Sequence, residues 1–177
     1  MWYLLLLLLG GSSAFEYEDC GIPDQKIAFI DSLVISPDPA TIPGDMTVSV
    51  KIRVTEDIPP GAIVKLKIIR HMNIFGQAID LPLPCLGDIG SCDTEACRFL
   101  KSHEERACPF FPEDKPCQCP ITAGDYVGTD LVVPFPDFGP LLNQLVAGKY
   151  EFQFIVQHGE RQLACVRAKL ELAAKKE

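Results

Sequence analysis

Met46-Thr47-Val48-Ser49-Val50-Lys51-Ile52-Arg53-Val54 alternates without a break, with Val48, Val50, Ile52 and Val54 on one side and Ser49, Lys51 and Arg53 on the other. A period of two belongs to an extended strand with one buried face and one wet face. The same period returns over Ile63–Arg70, where Val64, Leu66 and Ile68 oppose Lys65 and Lys67, and in Tyr150-Glu151-Phe152-Gln153-Phe154. It closes the chain as well, with Ala164, Val166, Ala168, Leu170 and Leu172 opposing Arg167, Lys169 and Glu171.

Between these runs lie Pro37-Asp38-Pro39, Ile42-Pro43-Gly44-Asp45, Pro59-Pro60-Gly61 and Phe138-Gly139-Pro140. Each is a turn signal, because Pro fixes φ and Gly frees it. Short strands separated by such turns predict an all-β protein, a sandwich or barrel. One short helix is predicted, at about residues 94–101, inside a cysteine-rich segment.

The amino terminus reads differently. Leu4 through Leu9 form an apolar run far below the roughly 20 residues that span a bilayer. Ser12 and Ala14 supply the small residues of a signal-peptidase site, so residues 1–14 are expected to be a signal peptide and residues 15–177 a single domain. Behind a signal peptide, the eight cysteines are expected to form disulfides. Six of them crowd into residues 85–119 and staple one irregular segment, which leaves Cys20 and Cys165 to tie the two ends of the chain. Spacing leaves the pairing open.

The net charge of −8 argues against a nucleic-acid partner. With a pI near 4.9, the chain would lose its repulsion from anionic lipid in an acidic compartment. Catalytic and metal motifs are missing. Cys117-Gln118-Cys119 is too tight for a zinc knuckle, and Ala107 stands where a His103-Glu104-Glu105 metalloprotease helix would need its second histidine. There is no nucleophile elbow and no phosphate-binding glycine loop, and His71, His103 and His158 are scattered. No cofactor is expected.

Two turn-like segments carry apolar side chains where polar ones are usual. Met72, Ile74 and Phe75 precede Gly76, while Phe135, Phe138, Leu141, Leu142 and Leu145 surround Pro136, Gly139 and Pro140. Two such clusters point to an exposed patch with an interaction role.

In order along the chain, several motifs carry a family resemblance: Ser36-Pro37-Asp38-Pro39, then Pro43-Gly44-Asp45, Ile89-Gly90-Ser91-Cys92, Cys117-Gln118-Cys119-Pro120, Gly148-Lys149-Tyr150 and Arg161-Gln162-Leu163-Ala164-Cys165. With the eight-cysteine order they make the chain similar to the MD-2-related lipid-recognition (ML) family, and to its glycolipid-activator members in particular. The resemblance covers nearly all of residues 15–177. It implies a β cup with an apolar lipid cavity and four disulfides, Cys20 to Cys165, Cys85 to Cys92, Cys97 to Cys119 and Cys108 to Cys117.

It also implies a non-enzymatic role. Such a protein takes a ganglioside-like glycosphingolipid from a membrane, in transient contact with the surface, and presents it to a lysosomal hydrolase of the β-hexosaminidase type. The membrane-facing rim would fall at Met72 to Phe75 and Phe135 to Leu142, and the destination would be the lysosome lumen or the extracellular space. The alternative is a secreted carrier of phospholipid, sterol or fatty acid that has no hydrolase partner. The chain departs from the activators in having Asp45-Met46-Thr47 in place of a glycosylation sequon.

Overall fold

The computed structural model describes residues 15–87 and 90–175, so the expected signal peptide lies outside the described residues. Strands dominate, in two sheets. The larger contains, in spatial order, β1 (Glu16–Asp19), β10 (Arg161–Ala174), β9 (Gly148–His158), β5 (Ile63–Ile74) and β6 (Gln77–Pro82). Two short strands extend it: β3 (Ala40–Ile42) runs parallel to the end of β10, and β7 (Asp93–Glu95) pairs with the start of β5. The smaller sheet holds β2 (Ala28–Ser36), β4 (Gly44–Val54) and β8 (Gly124–Phe135).

The alternating stretch that opens the sequence reading is β4, the central strand of the smaller sheet. Met46, Val50 and Val54 are buried against the larger sheet, while Lys51 and Arg53 are exposed. Across the gap, Val64 of β5 and Val156 of β9 sit side by side, and both are buried. The interior falls into two clusters at opposite ends of the sandwich. One gathers Ile27, Val54, Val64, Tyr126 and Val156; the other gathers Ala40, Met46, Tyr150 and Leu172, with Phe135 and Phe152 packed on it.

Two elements differ from the sequence reading. The strand read to Arg70 continues to Ile74 and turns back as β6, so Met72 and Ile74 pair with Ile79 and Gln77 in a hairpin instead of lying in a loop. The turn is Phe75-Gly76, with φ of 51° and 82°. Positive φ at both central residues is the primed turn that suits strand twist, where Asn or Gly normally takes the first place.

The second difference is helical. The helix expected at about residues 94–101 is present as α1 (Ala96–Ser102), and among the described residues it is joined by two further short α-helices, α2 (Glu104–Ala107) and α3 (Pro140–Val146), with a 3-10 turn at Cys108–Phe110. Glu95 caps α1 by accepting from the Arg98 N–H at 2.8 Å. The α3 helix starts with Pro at its first turn, where a missing N–H costs nothing.

The four disulfides join Cys20 to Cys165, Cys85 to Cys92, Cys97 to Cys119 and Cys108 to Cys117. Beside the second of these, Gly90 has a φ of 102° and a Cβ there would overlap the Pro84 carbonyl, so only glycine fits.

Candidate functional site

Toward one end of the sandwich the two sheets do not close on each other. They leave an apolar cavity of about 260 Å³. The strand faces read from the sequence supply its walls: Val54 from β4, Val64 from β5 and Phe154 from β9. Its cover comes from the cysteine-rich segment, through Phe99 of α1 and Phe110 and Phe111 after α2.

Specific contacts hold this cover in place. The Ala96 N–H donates to the Ala62 carbonyl at 2.7 Å, and two disulfides, Cys97 to Cys119 and Cys108 to Cys117, brace the segment. Phe99 meets Phe154 edge-on with centroids 6.0 Å apart, and Phe111 meets Tyr126 edge-on at 5.0 Å. Gly128 of β8 lets the cover approach closely, since a Cβ there would stand 2.5 Å from the Phe110 ring. Backbone N–H groups of Arg98 and Cys97 hold the Glu95 carboxyl below the usual carboxylate range, which anchors the start of α1.

The lining offers almost no polar chemistry. Tyr126 donates its hydroxyl to the Thr122 carbonyl at 2.5 Å, so that group is already satisfied. Asp19, at the end of β1, is the one charged lining residue and the only exposed one among the described residues that line the cavity. Lys26 Nζ lies 2.5 Å from its Oδ2, and the Gly21 N–H donates to its Oδ1 at 2.8 Å. Partial burial pushes the Asp19 carboxyl up, but these hydrogen bonds outweigh it and leave the group below the usual range.

The residues singled out from the sequence lie elsewhere. Met72, Ile74, Phe75, Phe135, Phe138, Leu141 and Leu142 do not line this cavity. They lie toward the opposite end, where Ile74 is about 33 Å along β5 from Val64 at the usual rise per strand residue. Phe75 is fully exposed at the hairpin tip, whereas Phe135 packs into the second interior cluster.

The α3 helix is inverted. It buries Asn143 and exposes Leu141 (81%), Leu142 (49%) and Leu145 (61%). Asn143 is satisfied from both sides, donating to Asp137 Oδ1 at 2.8 Å and accepting from the Phe138 N–H at 3.1 Å. The leucines of α3 thus form an exposed apolar patch, while its polar residue is turned inward.

The sequence reading did not single out Phe99, Phe110, Phe111 or Asp19. The phenylalanines were visible as apolar residues inside a cysteine-rich segment, but their convergence depends on the pairing of four distant cysteines. Among the described residues no group of three or more His, Cys, Asp or Glu is placed to hold a metal, and no helix is long and apolar enough to cross a membrane.

A disulfide-braced sandwich of two antiparallel sheets with an apolar cavity between them defines a class, and residues 14–172 match the sequence pattern of that class: the chain belongs to the ML domain family. Among curated relatives it is similar to the ganglioside GM2 activator of Mus musculus, 29% identical over 183 aligned residues that cover 93% of this chain and 92% of that protein. It is also similar to the ganglioside GM2 activator of Macaca fascicularis, 29% identical over 161 residues covering 87% and 80% respectively. Among solved structures, a Niemann-Pick type C2 protein from Japanese carpenter ant superposes with a TM-score of 0.45 at 16% identity, over 89% of this chain and 99% of that one.

Proposed function

We propose that this protein binds a lipid by its apolar chain in the inter-sheet cavity, takes it from a membrane and presents it to a hydrolase, with no catalysis of its own. The observation that carries the reading is the cavity, apolar on nearly every side and closed over by a disulfide-braced cover. The likeness to two ganglioside activators favours a glycosphingolipid as cargo and a lysosomal β-hexosaminidase as recipient. On this reading the protein enters the secretory pathway and works in the lysosome lumen or outside the cell.

Magnitudes constrain the mechanism. At roughly 30 Å³ per water-sized group, 260 Å³ holds about nine methylene-sized groups, part of one acyl chain. Burying these gains on the order of 7 kcal/mol relative to water at about 0.8 kcal/mol per methylene. Leaving the bilayer costs nearly the same, so loading and release stay close to balance. A second chain requires the sheets to part where Met46, Tyr150 and Leu172 now fill the gap. Phe75 and the leucines of α3 would supply the membrane contact.

The test is extraction of a ganglioside from phosphatidylcholine vesicles, followed by addition of β-hexosaminidase. Stimulated hydrolysis in the absence of detergent supports presentation. Extraction without stimulation leaves a carrier with no hydrolase partner, and failure to extract any lipid removes the reading altogether.

A further inference from the structure

The two sheets are not paired with each other along the side where β1 edges the larger sheet and β2 edges the smaller. At this side the cavity lining reaches the surface, because Asp19 is its one exposed member among the described residues. The same two strands border an open groove of about 480 Å³, lined by Phe15, Glu16, Tyr17, Leu33, Val34, Ile35 and Asp38. Tyr17 and Asp19 lie two residues apart on β1 and so face the same way, so the groove and the cavity open on one edge. That edge leads from Asp19 toward Asp38, near the end of the molecule that carries α3.

Two side chains of opposite charge meet at the opening. Lys26 pairs with Asp19, and its Nζ lies 4.9 Å from the centroid of the Phe29 ring. Asp19 still offers lone pairs to a hydroxyl or amide donor, and Lys26 still has N–H donors for an oxygen. A carboxylate arriving at the same place adds a second negative charge beside Asp19, against the single positive charge of Lys26.

We propose that lipid enters sideways between β1 and β2, and that the Asp19–Lys26 pair at this opening selects an uncharged hydroxyl over a carboxylate at the group that joins directly to the apolar chain. The inference rests on the lipid-binding reading above and deepens it by naming the polar contact for that group. Because the Asp19 carboxyl is held below the usual range, the selection persists in mildly acidic solution.

The test uses decanol and decanoate, whose chains match the cavity, bound at pH 7.5 to the wild type, Asp19→Asn and Lys26→Gln. Circular dichroism confirms that each variant is folded. The hydration of decanoate biases the affinity ratio equally in all three proteins, so the change in ratio is what reports the pair. Asp19→Asn is expected to narrow the preference for decanol about tenfold, and Lys26→Gln, which leaves Asp19 unscreened, to widen it. These opposite directions are not what a purely structural ion pair produces. The same ratio in all three proteins overturns the inference while leaving lipid binding intact, and wild type that binds neither probe overturns the lipid reading itself.

Discussion

The Arg70 guanidinium donates a 2.9 Å hydrogen bond to the Ala147 carbonyl, which ties β5 to the end of α3. Tyr150 adds a second tie one residue earlier, donating its hydroxyl to the Val146 carbonyl at 2.6 Å. Arg70 in turn stands over the Tyr150 ring at 5.8 Å. The hairpin that bears Phe75 and the helix that bears Leu141 are thereby fixed at the same end of the molecule.

Arg70→Met removes a charged hydrogen bond to a backbone carbonyl. It is expected to cost about 1–2 kcal/mol in urea unfolding and to raise amide exchange across α3 ahead of the strands. Exchange that rises uniformly would show that the contact does not latch the helix.

Phe75→Asp and Phe138→Asp alter exposed side chains at this end, so stability should stay within about 0.5 kcal/mol. Extraction of lipid from vesicles is expected to fall at least tenfold in both. Undiminished extraction by the two variants would take these segments out of the mechanism.

Ala164 lines the cavity from β10. Ala164→Phe places a ring where there is now space, so the usual overpacking penalty of about 1–3 kcal/mol should be largely avoided. Folding is expected to survive and lipid uptake to be lost. A folded variant that takes up lipid normally would mean that the chain is held elsewhere.

Besides Asp19, four carboxyls are held below their usual range: Asp31 by the Arg53 guanidinium, Glu56 by Arg161, Glu95 by the Arg98 N–H and Asp137 by the Asn143 amide. A carboxyl with a depressed folded pKa contributes stability above its unfolded value, about 4, and loses it as pH falls through the folded value. Urea midpoints should therefore hold between pH 7.5 and 5 and drop below about pH 4. Over the same upper range the net charge falls toward zero near the pI of 4.9, and binding to anionic vesicles should strengthen. Binding no stronger at pH 5 than at pH 7.5 would show that net charge does not govern the membrane encounter.

How far the sequence carried the reading depends on whether a feature is local. The β4 pattern is local: burial of Met46, Val50 and Val54 follows directly from the alternation. The hairpin at Phe75-Gly76 was hidden because its turn has Phe where Asn or Asp would announce a primed turn. The α3 helix was hidden by inversion, since its leucines read as loop-borne patches and its buried residue is Asn143. The cavity is assembled from Val54, Phe99, Phe154 and others far apart in sequence, and nothing local marks a space that several strands fail to fill.

The most direct measurement of the central claim is native mass spectrometry of the folded protein, as purified and after incubation with mixed lipid vesicles. The account predicts a bound mass equal to one lipid, retained in the native state, released on unfolding and absent from folded Ala164→Phe. The bare protein mass alone in every sample, with the fold intact, would contradict it.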